Sequence, residues 1–253
     1  MLSAFAVPTL PTRTHSGITF GCIMPKTIAS LPDWEQVLSS AARLQTILPE
    51  AILVGGTASA IHAEHRLSRD ADHVLTDLRS RFDAVLAELE AVAGWKTARV
   101  QRPVQILGSL DGIETGVRQL IREQPLETMT LHYHGAQLTL PTPSETLRIK
   151  GVLILKRNAT RDYLDFVALA DRMGDEAVAT ALHAFDQLYP QSNGESALQQ
   201  LQAQLANAIP YDIKTIALTE YRNLAPRWHD WEVVKAACAR LATTIFDRVC
   251  DAT

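Results

Sequence analysis

The stretch Ile52–Leu75, ILVGGTASAIHAEHRLSRDADHVL, decides how this chain is read. Ala51–Val54 is fully apolar and reads as a short buried strand that stops at Gly55-Gly56. Thr57–His65 follows as an Ala-rich helix, apolar on one side, and Ala71–Leu75 reads as a second short strand. Asp70 and Asp72 stand two apart at the mouth of that strand. Both side chains therefore point to one face, roughly 7 Å apart along the backbone. Two carboxylates so placed can share a hard divalent cation such as Mg²⁺, which prefers oxygen ligands and keeps waters and substrate phosphates in its shell. A strand that ends in two glycines and feeds a helix brings bare N–H groups to a helix N-terminus, where a phosphate can sit. Ser68 adds a hydroxyl and Arg66 a charge. An anion pocket beside a carboxylate pair is what metal-assisted phosphoryl or nucleotidyl transfer requires.

Outward from this stretch, Asp33–Leu48 repeats apolar residues at three- and four-residue steps, an amphipathic helix with Asp33 at its cap. A helix from about Ser80 to Val92 ends at Gly94. Residues 98–140 change character: β-type runs at Val104–Leu107, Ile113–Leu120, Thr128–Tyr133 and Gln137–Leu140 are separated by Asp111-Gly112 and His134-Gly135 turns. Beyond Pro141 the pattern is helical, broken near Gly174, Pro190–Gly194 and Pro226. The expected class is α+β: a mixed α/β core over 25–140, then an all-helical half over 141–253. Residues 1–24 lack a basic n-region and carry two prolines, so they read as a disordered extension or an over-called start.

The clearest helix start lies after Leu140. Thr142 is the N-cap, Pro143 takes the first helical position and Glu145 falls three after the cap, a capping box. The helix continues as LRIKGVLILKR, with Lys150 and Arg157 seven apart and so on one face. A second helix from Thr160 carries Arg161, Asp162 and Asp165. Between 145 and 161 there are five basic residues against one acidic.

Composition bounds the partners. The chain has 253 residues, 47% hydrophobic and 21% charged, with a net charge of −4. That is close to the globular average and excludes collagen-like, disordered and disulfide-scaffold chains. It also disfavours a protein that coats nucleic acid. The four excess acidic charges all lie in residues 174–253, with 6 basic and 10 acidic side chains. A nucleotide or the tip of an RNA still fits a local basic cleft. Three scattered cysteines form neither a disulfide framework nor a paired zinc motif. No apolar run reaches the ~18 residues of a membrane helix, and a cytoplasmic location is expected.

The run GG-T-A-x(8)-R-x-S-x-D-x-D and the later LPTPSETLRIKGVLILKRNATRDYLDFVAL together resemble the nucleotidyltransferases of the AbiEii type. Many of these act as toxins in abortive-infection and toxin–antitoxin systems. The resemblance covers about residues 50–175. It implies a polymerase-β-like nucleotidyltransferase sheet with flanking helices and transfer of a nucleoside monophosphate from an NTP, in several members to tRNA, with a cognate antitoxin as partner. It implies Asp70 and Asp72 as ligands of Mg²⁺ or Mn²⁺. Gly55, Gly56, Thr57, Arg66 and Ser68 would line the triphosphate, with Lys150 on its phosphates and Arg157 in support. Asp162, or else Asp165, would position or deprotonate the acceptor hydroxyl. A third carboxylate is expected on a later strand: Glu114, or Asp111 in the preceding turn. Arg118 on that strand has no place in the family pattern.

Other groups read blandly. In HAEH, His62 and His65 are spaced i, i+3 and not the i, i+4 of metallohydrolase pairs. His132 and His134 read as surface. Tyr221, Trp228 and Trp231 read as helix-packing anchors. Two rival functions stand beside the first: an aminoglycoside-type transferase acting on a small hydroxyl acceptor, and a catalytically quiet nucleotide-binding module.

Overall fold

The structure is a computed structural model and describes residues 32–250. The expectation for residues 1–24 lies outside that range. In chain order the first elements are helix α1 (Pro32–Ile47), strand β1 (Ile52–Leu53), α2 (Gly55–Ala63), β2 (Ala71–Leu75) and α3 (Leu78–Glu90). Then come β3 (Trp95–Gln101), β4 (Gln105–Leu110), β5 (Ile113–Gln119), β6 (Thr128–Tyr133) and β7 (Ala136–Pro141). The helices that follow are α4 (Pro143–Arg157), α5 (Thr160–Met173), α6 (Asp175–Leu182), α7 (Phe185–Leu188), α8 (Ala197–Ala206) and α9 (Trp231–Ile245).

Five strands form one sheet in the order β1-β2-β5-β4-β3, and β6-β7 is a separate hairpin. β2 and β5 run parallel, and every other pair in the sheet is antiparallel. The alternation along β2 and β5 makes the sheet two-sided. Ala71, His73, Leu75, Thr115 and Val117 are buried, and Leu75 and Val117 pack with Leu44 and Leu48 of the α1 region and Phe82, Val85 and Leu89 of α3. Burial of each such side chain stabilises the fold by about 1.5–3 kcal/mol. The other face carries Asp72 and Val74, with Glu114, Gly116 and Arg118 alongside. It opens on a cavity whose far wall is α4.

A second apolar cluster joins α4, α5, α7, α8 and α9 around Phe166, Phe185, Leu201 and Leu241. Ala63, the last residue of α2, packs into that same cluster.

Two expectations needed adjustment. β3 was not anticipated as a strand of its own. Apart from Trp95, its residues are all exposed, so an edge strand here shows no apolar alternation for the sequence to display. The capping box after Leu140 forms by half: the Thr142 hydroxyl accepts the Glu145 N–H at 3.2 Å, while the Glu145 carboxylate turns away to Arg122 at 2.8 and 3.0 Å.

Candidate active site

The cavity between the sheet and α4 has a volume of about 660 Å³. Asp70 and Asp72 face it from β2. Thr115 pairs with Ala71, and this register sets Glu114 beside Asp70 on the neighbouring strand. Burial raises the Asp72 carboxyl above the usual carboxylate range, and the like charge of Asp70 adds to that; Arg118, Arg161 and Arg157 act the other way. The Arg118 guanidinium stands 3.8 Å from Asp72. Too much negative charge in too little water is the state that a divalent cation relieves, so the donor set fits a hard metal ion. Glu114 lines the same cavity but is exposed. Among the described residues no three His, Cys, Asp or Glu side chains converge as a metal-holding cluster.

The opposite wall of this end is an anion cradle. α2 begins directly at Gly55, and its cap residue, Val54, has no side chain able to accept the first-turn N–H groups. Those donors stay available at a positive helix end. Gly55 sits at φ +73°, in the left-handed region. A Cβ on Gly56 would lie 2.8 Å from the Ser68 hydroxyl and 2.9 Å from an Arg66 Nη, so both glycines are dictated by geometry. Ser68 also lines the cavity and donates its hydroxyl to Asp70 at 2.5 Å. Thr57 does not belong to this lining. It is buried, and its hydroxyl donates to the Asp70 carbonyl at 2.5 Å; the expectation that it contacts phosphate is corrected to one of bracing the aspartate strand.

Beneath the cradle lies a buried charge network. Asp165, fully buried on α5, accepts from Arg66 at 2.7 and 3.0 Å, meets His65 at 2.7 Å and pairs with Lys150 at 2.7 Å. Burial alone would raise its carboxyl, but Arg66 and Lys150 outweigh that and hold it well below the usual range. Asp162, equally buried, binds Arg157 at 2.5 and 2.7 Å and lies 3.6 Å from Lys150. Neither aspartate lines the cavity, whereas Arg66, Lys150 and Arg157 all do. Three cations against two carboxylates leave a positive floor. Asp162 and Asp165 therefore do not face the cavity; both are counter-ions of the cations that do. Helix periodicity explains the difference: positions i and i+3 share one face of α5, and that face is buried against α2 and α4.

The remaining groups separate. The His62 ring nitrogen meets the Pro141 carbonyl at 2.8 Å, and Glu64 pairs with Arg172 at 3.3 Å, so the HAEH residues serve three different contacts. Asp111 pairs with Arg43, away from the cavity. Trp228 is buried, and Trp231 stacks edge-on to Tyr163. Tyr221 packs against the helical cluster as expected, and it also lines the cavity and lies under the Arg66 guanidinium, 5.8 Å from ring centre. Its segment is tied to the core by hydrogen bonds from the Leu67 N–H to the Arg222 carbonyl and from the Ala225 N–H to the His65 carbonyl. No local signal in the sequence pairs these segments, which lie more than 150 residues apart. Among the described residues no helix is long and apolar enough to cross a membrane.

The chain is 28% identical over 232 residues to the mycolic acid-containing lipids exporter MmpL11 of Mycolicibacterium smegmatis, covering 89% of this chain but only 23% of that protein's length. Two solved structures are similar. One is a nucleotidyltransferase from H. pylori described as putative (15% identity, TM-score 0.46, 87% of this chain and 98% of that one). The other is an antigenic nucleotidyltransferase-like protein from Paracoccidioides brasiliensis (18% identity, TM-score 0.43, 62% and 89%). The family model described as nucleotidyl transferase AbiEii toxin, Type IV TA system, matches residues 36–247, and it spans both the aspartate strand and the buried network, so this chain belongs to the AbiEii nucleotidyltransferase toxin family.

Proposed function

We propose that the protein moves a nucleoside monophosphate from an NTP to a hydroxyl at the end of an RNA, tRNA foremost, and that it acts in the cytoplasm as the toxin of a pair with a cognate antitoxin. The observation that carries this reading is the Asp70/Asp72 pair facing an uncapped helix N-terminus and a positive floor within one cavity. The Gly55 and Gly56 N–H groups, with Arg66, Lys150 and Arg157, take the triphosphate. Asp70 and Asp72 would hold Mg²⁺ or Mn²⁺, which neutralises the charge that develops on the α-phosphate. Ser68 keeps the Asp70 carboxylate aimed by its hydrogen bond. With Asp162 and Asp165 engaged as counter-ions, Glu114, beside the aspartate pair on the neighbouring strand, is the carboxylate that takes the acceptor's proton; Glu220 lines the same cavity from the far segment. In this reading the 25–140 and 141–253 stretches form one working unit, the first supplying the carboxylates and the second most of the cations.

Incubation with Mg²⁺, bulk RNA and each α-labelled NTP in turn tests it. Label is expected on a tRNA-sized band, absent with chelator and absent in Asp70→Ala and Asp72→Ala. Expression of the wild type should arrest growth, and Asp72→Ala should relieve the arrest. Full labelling by both variants, or no transfer with any of the four NTPs, sinks the proposal.

A further inference from the structure

The carboxylates Asp70, Asp72 and Glu114 line one end of the cavity. β2 and β5 run parallel, so it extends from Asp70 and Glu114 at their starts toward their C-terminal ends. Past Gln119, the last residue of β5, the lining becomes aliphatic: Leu120, Ile121 and Leu126 on one side, Ile149 and Leu153 of α4 on the other. Ile149 and Leu153 bracket Lys150 in sequence, so the same helix serves both ends. Ile121 is 77% exposed, a large apolar side chain held out toward the open space.

The polar side chains at this end are already engaged. Arg122 donates to Glu145 at 2.8 and 3.0 Å, to the Gln124 carbonyl at 2.9 Å and to the Pro125 carbonyl at 2.7 Å. Gln119 accepts the Arg79 N–H at 2.8 Å and donates to the Thr76 and Leu120 carbonyls at 2.7 and 3.1 Å. The Tyr189 hydroxyl accepts from Arg122 at 3.3 Å.

We propose that this aliphatic end is the seat of the nucleobase and that it holds the base by apolar contact without reading its hydrogen-bonding edges. The inference rests on the NTP reading above. An NTP has the same polarity as the cavity, a polyanion joined to a flat and weakly hydrated base. Once the charged end has taken the phosphates, the base is the part of that molecule whose chemistry matches aliphatic walls. An apolar pocket rejects analogues by size and only weakly by polar pattern; strong discrimination needs buried donors and acceptors reserved for the ligand. Here the Arg122 and Gln119 donors are spent on the protein itself.

Calorimetric titration in Mg²⁺ with each of the four NTPs and with inorganic tripolyphosphate tests this. Each NTP should bind roughly 10- to 100-fold more tightly than tripolyphosphate, the yield of burying one apolar base. The four NTPs should differ by less than about 10-fold, the range an apolar pocket discriminates. Ile121→Ser combined with Leu153→Ser should bring NTP binding to the tripolyphosphate level and leave tripolyphosphate binding unchanged. The single Ile121→Ser, at an exposed side chain, carries the same test should the double variant unfold. Three results overturn the inference: NTPs binding no tighter than tripolyphosphate, an NTP advantage that survives both substitutions (which assigns the aliphatic end to the acceptor), or a preference above ~100-fold for one base. Failure of NTPs and tripolyphosphate alike to bind breaks the nucleotide reading itself, and this inference with it.

Discussion

The Asp70/Asp72 pair and the Asp162/Asp165 pair share their chemistry and lie in opposite surroundings. On a strand, alternate residues share a face, and β2 turns that face to the cavity, so both carboxylates line it with only Ser68 on Asp70 and a distant Arg118 beside Asp72, and Asp72 is pushed upward by burial and by its neighbour. On α5 the pair faces inward, where Arg66, Lys150 and Arg157 converge, and Asp165 is pushed well downward. An under-compensated pair is poised to take a ligand. A compensated pair fixes the positions of its own counter-ions.

Substitution at the two sites should separate these roles. The largest effect is expected from Asp72→Asn: transfer falls by about 10³-fold or more, while thermal unfolding stays within about 0.5 kcal/mol of wild type, since Asp72 makes no buried pair. Asp165→Asn should do the reverse in stability, costing about 3–5 kcal/mol in denaturant unfolding because Arg66 and Lys150 lose a buried counter-charge. Lys150→Met in the same chain should recover part of that loss. Equal melting of the Asp72 and Asp165 variants would erase the distinction.

Acid titration sharpens it. Burial pushes the His73 imidazole down to about 4, and His65, also buried, shifts downward. Both are neutral in the folded protein, so their contribution is complete above the unfolded value near 6.5. It is lost as the pH falls toward the folded value, because the unfolded chain takes up protons first. Between pH 6.5 and 4 stability should fall by about 3 kcal/mol from His73 alone, and His73→Leu should flatten that slope. Asp165 has a depressed carboxyl and keeps its contribution until the pH drops below the ordinary carboxylate range. Acid unfolding should therefore begin with the histidines and not with the buried aspartates. The smallest effect is expected at the start of α4: Thr142→Ala removes one cap bond and costs about 1 kcal/mol in the same unfolding assay.

Much of this was legible in one dimension. Thr128–Tyr133 matches β6 residue for residue, and Thr142-Pro143 marks the start of α4. Gly55, Gly56, Arg66, Ser68, Asp70, Asp72, Glu114, Lys150 and Arg157 all line the cavity. Thr57 was misplaced because a threonine after two glycines looks the same whether its hydroxyl faces a phosphate or a backbone carbonyl. Asp162 was misjudged because sequence spacing tells which residues share a helix face but not whether that face is covered.

The sequence by itself determined the local elements and the short-range constellations: glycines before a helix, aspartates two apart on a strand, cations seven apart on a helix. Those follow from backbone periodicity, which acts over a few residues. Only the tertiary structure decided which acids are bare and which are spent, that Tyr221 and its loop close over Arg66, and that α4 carries the cavity from a charged end to an aliphatic one. Burial and counter-charge are set by what packs opposite, and here the packing partners of residues 65–67 lie at residues 165–225.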